Sequence, residues 1–334
     1  MSAFRLAMEI WLALTTALGS TPEDRPQVLV VVGAPGTDEY ARQFSEWAER
    51  WRAAAERGQA EFAAIGLDAE DGTNDREMLE RRLAAMPLAS PEPLWLVLIG
   101  HGTFDGKTAK FNLRGPDVTA VELAEWLRPF ERPLAIVNCA SASGPFLNEL
   151  SGPNRIIVTA TKSGHEHNFA HFGDYISSAI ADPAADLDKD EQTSLLEAFL
   201  AAAARTADFY KEDARLATEH ALIDDNGDRL GTPADWFRGV RAVKTAKDGA
   251  SPDGLRASQL QLVPSRSEQE LPAKAKQRRD ELEQQLAELR QRKSVLSEEE
   301  YYSQLEPLLI EIARVYEQSE KPLGDAAKPP AEGD

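Results

Sequence analysis

Four stretches of this chain are apolar without alternation: 28–32 (VLVVV), 94–99 (LWLVLI), 134–137 (LAIV) and the centre of 155–160 (RIIVTA). A strand with one wet face alternates apolar and polar residues, so runs of this kind belong to strands buried on both faces. A fifth short strand is expected at 62–67. Helical patterns separate them. Residues 38–57 place Phe44, Trp47 and Trp51 on one face and stop at Gly58; 74–86 starts from a cap at Thr73 or Asn74; 119–127 is the third helix. Strands and helices in alternation predict a three-layer α-β-α fold with a mostly parallel sheet.

In such a sheet the ligand crevice lies beyond the carboxyl ends of the strands. Three features fall at that edge: the turn Gly33-Ala34-Pro35-Gly36, the pair His101-Gly102, and Cys139. Cys139 is the single cysteine of 334 residues, which excludes an internal disulfide and a cysteine metal cage. A thiol attacks carbonyl carbon as thiolate, and His101 on a neighbouring strand is the candidate base. The N–H groups of Gly102 and Cys139 are the candidate oxyanion donors. The bland alternative for Cys139 is a small buried hydrophobe. The 33–36 turn lacks the Lys-Ser/Thr of a phosphate-binding loop and is read as shaping the cleft. His165, His167 and His171 are read as a polar loop beside the cleft rather than a metal site, and His220 as packing or capping near the end of a long helix.

Charge narrows the partners. Asp and Glu number 56 against 37 Lys and Arg, a net charge of -19, which argues against a nucleic-acid surface. Hydrophobic residues make up 42%, enough for a substantial core. No stretch is long and apolar enough for a separate membrane span. Residues 1–24 carry Arg5, an apolar stretch and the small-residue series Ala17-Leu18-Gly19-Ser20, but also Glu9. This segment reads as an amphipathic first helix, with a cytoplasmic protein, or as a secretion signal over 1–20 with an exported one.

The α/β domain is expected over 25–243. From 182 the character changes: an Ala-rich helix at 195–220 lies between two acidic loops. In the first loop Asp186, Asp188, Asp190, Ser194 and Glu197 occupy positions one, three, five, nine and twelve of an EF-hand loop, with Glu191 where glycine belongs. Calcium is the ion that this spacing admits; a solvated loop capping the helix is the alternative, and the thiol chemistry requires no cofactor. Asp224, Asn226, Asp228 and Asp235 echo the pattern, with Arg229 at the sixth position. A linker is expected at 244–266, a coiled-coil-like helical hairpin at 267–320 and a disordered tail at 321–334. The hairpin seams are Leu282, Leu286, Leu289 and Leu296, then Tyr301, Leu305, Leu308, Ile312 and Val315. Ser297 with Glu300 forms a capping box, and Pro307 should kink the second helix or mark a late start. The hairpin would dock on the main domain or on a second copy.

A resemblance adds to this reading. GHGTFDG at 100–106, NCASASGPFLNELSGPNR at 138–155, TATKSGHEHN at 159–168 and HALIDDNGD at 220–228 resemble bacterial legumain-like cysteine peptidases of the caspase–legumain superfamily, over roughly 27–239. The resemblance implies a caspase-like sheet, a polypeptide substrate, Cys139 as nucleophile, His101 as general base and hydrolysis through a thioester. The chain departs from the legumain Glu-Ala-Cys-Glu-Ser-Gly motif, having Asn138 before Cys139 and Ala140 after it, and Tyr40 is followed by Ala41 before Arg42. The family preference at the cleaved bond therefore does not carry over. The alternative is a catalytically inactive scaffold that binds a partner through its cleft and hairpin.

Overall fold

A computed structural model describes residues 25–67, 74–244 and 251–319. The expected N-terminal segment and C-terminal tail lie outside the described residues. The chain runs β1 (Gln27–Val32), α1 (Asp38–Arg57), β2 (Glu61–Ile65), α2 (Asp75–Ala84), β3 (Leu94–Ile99), β4 (Gly102–Phe104), β5 (Ala109–Phe111), β6 (Val118–Thr119), α3 (Ala120–Leu127), β7 (Leu134–Asn138), α4 (Gly144–Leu150), β8 (Arg155–Thr159) and α5 (Phe172–Ala179). It continues through α6 (Leu195–Glu212), β9 (Leu222–Asp224), β10 (Thr232–Pro233), β11 (Phe237–Arg238), β12 (Arg241–Ala242), α7 (Leu255–Ser258), α8 (Arg266–Glu270), α9 (Ala273–Gln291) and α10 (Glu298–Ser319).

The main sheet has the order β10-β9-β8-β7-β3-β1-β2, parallel from β2 to β8, with β9 and β10 antiparallel. The direction of winding reverses between β1 and β3, which makes their carboxyl ends the switch point of a doubly wound sheet. Alternation divides the core in two. Val28, Val30, Trp95, Val97, Ala135, Val137 and Val158 pack under α1, α5 and α6. Leu29, Val31, Leu94, Leu96, Leu134, Ile136 and Ile157 pack against α2, α3 and α4. This is the expected three-layer α/β architecture. No helix among the described residues is long and apolar enough to cross a membrane.

At the amino edge of the sheet, the buried Arg132 ties three strands. Its guanidinium donates to Gln27 Oε1 at 2.6 Å, to Glu92 O at 2.8 and 3.0 Å, and to Pro93 O at 3.3 Å.

Several boundaries differ from expectation. The Ala-rich helix ends at Glu212 rather than 220, because Ala214 turns left-handed (φ 52°) and the chain returns so that Glu219 caps α5. The described part of the expected linker is packed: Ala257 and Leu262 join the core under α6, and Ser194 bridges Gln261. The hairpin is present as α9 and α10, with Pro307 inside α10.

Candidate functional site

His101 stands two residues beyond β3, half-buried, with its ring edge-on to Tyr40 (4.7 Å), Phe44 (5.2 Å) and Phe169 (5.8 Å). Its Nε2 lies 3.2 Å from the Pro35 carbonyl. A carbonyl only accepts, so Nε2 carries the proton and Nδ1 is left as the basic nitrogen. Burial lowers the pKa of the ring, and the bond to Pro35 only partly opposes this. The imidazole is therefore held neutral further into acid than an exposed histidine.

Cys139 stands at a different level of the sheet. The register pairs Leu98 with Asn138, so Cys139 is level with Ile99, whereas His101 is two residues further along. At about 3.3 Å per residue that is a step of roughly 6–7 Å. Cys139 is accordingly as buried as its neighbours, 1% exposed, in the core under α1 and α5. Gly173 makes room for it: a Cβ on that glycine would fall 2.8 Å from Cys139 Cβ and 2.5 Å from the Trp47 ring. Burial, reinforced by the Glu219 carboxylate, drives the thiol pKa far above the ordinary range. Glu219 is itself buried and accepts from His171 N (2.9 Å), Phe172 N (3.0 Å) and the Tyr210 hydroxyl (3.1 Å). No hydrogen bond joins Cys139 to His101 among the described residues.

The expected oxyanion donors are also engaged. Cys139 N–H remains in the strand ladder, donating to Leu98 O at 2.9 Å. Gly102 N–H turns to the Ser141 hydroxyl at 3.3 Å, and that hydroxyl donates to Gly102 O at 3.2 Å. Ser141 is thus the residue of this loop on a level with the histidine. The glycine beside His101 has a packing role, since a Cβ there would lie 2.1 Å from the Ser141 carbonyl. In this conformation the nucleophile expected at Cys139 is a protonated core thiol. Counting the strand register in the sequence could have raised Ser141; nothing local in the sequence points to Glu219.

Residues 161–168 form the rim. Ala142, with φ 51°, donates its N–H to Glu166 O at 2.8 Å. The Glu166 carboxylate holds His220 Nδ1 at 2.5 Å and accepts from Lys162 N at 3.0 Å. His220 is therefore part of the rim, well past the end of α6 rather than near it. His165 stacks edge-on against Phe104 at 5.3 Å, His167 Nδ1 lies 3.2 Å from Gly164 O, and His171 lies on Phe209 at 4.1 Å. Their rings face different partners. A cavity of about 260 Å³ opens beside Phe169, between His171, Phe209 and Tyr210.

In the first acidic loop, oxygens of Asp186, Asp188 and Asp190 lie within 4.8 Å of one another, the one such convergence of His, Cys, Asp or Glu among the described residues. Burial and the neighbouring carboxylates push Asp188 up to about 6, and burial also raises Asp190. Ser194 and Glu197 do not join them. They form a capping box on α6, and Glu197 further accepts from Leu187 N at 2.7 Å and Asp188 N at 3.3 Å. Three of the five expected calcium ligands converge and two are committed to the helix start. Glu191 adopts φ 70°, the left-handed geometry expected of glycine at that position. The second acidic loop turns inward at Asp225, which accepts from Gly254 N and Ala257 N, while Asp253 of the later segment accepts from Asp225 N; burial raises both carboxyls.

No family model matches the chain, and no curated protein matches it. Among solved structures it is similar to the Drosophila initiator caspase Dronc, at 13% identity and a TM-score of 0.42, over 63% of this chain and 83% of that one. It is also similar to caspase-1 from Spodoptera frugiperda, at 9% identity and 0.39, over 61% and 87%. Chaetomium thermophilum Raptor matches at 10% identity and 0.32, over 47% of this chain and 18% of that one.

Proposed function

We propose that this chain is a polypeptide-binding protein of the caspase–legumain kind, which receives an extended segment in the crevice beyond β1, β3 and β7 without covalent attack by Cys139. The observation that carries the reading is the level of Cys139: one residue past β7, beside Ile99, with its thiol in the core next to a carboxylate. A nucleophile needs a thiolate within reach of substrate, and burial of the Cys139 thiol speaks against both. Binding has what it needs. His101 keeps an acceptor nitrogen at the crevice, and the Glu166–His220 pair lines the rim.

A second reading is favoured by one observation. β3 and β7 are paired neighbours, so His101 and Cys139 leave the same edge of the sheet on adjacent strands. A cysteine endopeptidase with His101 as base and Cys139 as nucleophile would follow if the end of β7 turned the thiol outward. One experiment separates the two: wild type, Cys139→Ala and His101→Ala are each incubated with a diverse peptide library, and both capture and cleavage are read. The binding reading expects capture by wild type and Cys139→Ala and cleavage by neither. Cleavage by wild type that both substitutions abolish would establish the peptidase instead.

A further inference from the structure

The antiparallel ribbon β11–β12 has two faces of different character. Phe237 and Val240 pack on the core, and a Cβ on Gly254 would meet the Phe237 ring at 2.6 Å. Phe237 is paired with Ala242, and Arg238 stands directly opposite Arg241. Side chains alternate across a strand, so the two arginines share the face turned away from Phe237. The pairing continues to Val243, whose N–H donates to Trp236 O at 2.8 Å. Arg238, Arg241 and Val243 are exposed, Val243 at 54%, and Trp236 is half-buried.

The charge on the outer face is unbalanced. Like charges directly opposite each other destabilise a ribbon, since their Cβ atoms stand only about 4.5–5.5 Å apart. A third guanidinium adds to the two: burial, and then the neighbouring Arg241 charge, lower the pKa of Arg290 near the end of α9. Other arginines meet carboxylates, Arg50 with Asp174, Arg205 with Asp182 and Arg278 with Glu311. Arg238, Arg241 and Arg290 have no ion-pair partner among the described residues, although the chain carries 56 acidic residues against 37 basic ones. Clustered guanidiniums suit a compact dianion with several acceptor oxygens, which describes a phosphate group better than a carboxylate. An extended polyanion fits less well, because a net charge of -19 repels it on either side.

We propose that the outer face of β11–β12 binds a phosphorylated segment of a partner protein, its phosphate on Arg238, Arg241 and Arg290 and a neighbouring apolar side chain on Val243 and Trp236. Arginine clusters are a recurrent means of reading phosphorylated segments. The phosphate offsets the repulsion between the opposed arginines, and the apolar contact supplies a preference among phosphorylated sequences. The ribbon is a separate sheet from the one that carries the crevice, so the two sites are independent.

The probe is a pool of nonapeptides with phosphoserine at the centre and the other positions degenerate, passed over the immobilised full chain and read by mass spectrometry. The controls are the same pool with serine, and with glutamate, at the centre. Peptides held by the crevice are retained from all three pools, so the reading is the excess from the phosphoserine pool. An excess of about ten-fold or more is expected, enriched in apolar residues near the phosphoserine and lost in Arg238→Glu and in Arg241→Glu. Either substitution sets opposite charges across the ribbon, so circular dichroism should find the variants as folded as wild type. No excess over the serine and glutamate pools, an excess that survives both substitutions, or one without apolar preference would overturn the proposal. So would a single-stranded oligonucleotide held more tightly than the recovered phosphopeptides and released by Arg241→Glu, which would assign the face to nucleic acid.

Discussion

The ends of β3 and β7 are paired neighbours, yet they treat their terminal residues in opposite ways. β3 ends at Ile99 and carries His101 two residues clear of the ladder, into an aromatic surround with one ring nitrogen unengaged. β7 ends at Asn138, and Cys139, one residue on, is still hydrogen-bonded into the sheet. Both side chains lie over the α1 face, one against Tyr40 and Phe44, the other against Trp47 and Gly173. Two residues of strand length thus separate a group at the crevice from a group in the core. Reactivity at a sheet edge is set by height above the last paired residue as much as by residue type.

The sharpest way to break this contrast is chemical. Iodoacetamide should modify Cys139 in the native chain at least ~100-fold more slowly than in urea, because a buried thiol reacts only through opening. A native rate equal to that of a model thiol would place Cys139 in the crevice after all. Next comes Gly173→Ala, whose Cβ would overlap both the Trp47 ring and Cys139. Overpacking of this kind costs about 1–3 kcal/mol, read from the urea midpoint, and an unchanged midpoint would mean the thiol does not sit there.

The smallest effect belongs to His101. Its pKa is lowered by burial, so between the folded and unfolded values the unfolded chain binds the extra proton, and stability falls as pH drops through about 6.5. Wild type should therefore lose more stability between pH 7.5 and 5.5 than His101→Gln does in the same buffers. An equal loss in both would leave the ring as exposed as a surface histidine.

Much of the scaffold was legible in the sequence for a local reason. The doubly buried strands announce themselves as unbroken apolar runs, and α1 runs from its Thr37 cap to Gly58 with Phe44, Trp47 and Trp51 inward as their spacing indicates. Caps were equally local: Asn74 accepts from Glu77 N, and Thr119 with Glu122 forms a capping box. The site was less legible because its determinants are distant in sequence. The level of Cys139 depends on the pairing of Leu98 with Asn138, the room for its side chain on Gly173, and its charge environment on Glu219. The small sheet β4-β5-β6 escaped notice since each strand spans two or three residues, too few to show a period.

The knot around Arg132 has a consequence for how the crevice can respond to an occupant. A guanidinium that spans Gln27 and two successive carbonyls cannot be mimicked by the single nitrogen of lysine, and it fastens β1, β3 and β7 to one another where they begin. With that end riveted, the sheet can yield only at the far end, as a cantilever does. Whatever seats beside His101 will therefore be accommodated by the turns and rim that carry it, while the spacing of the strands stays fixed beneath.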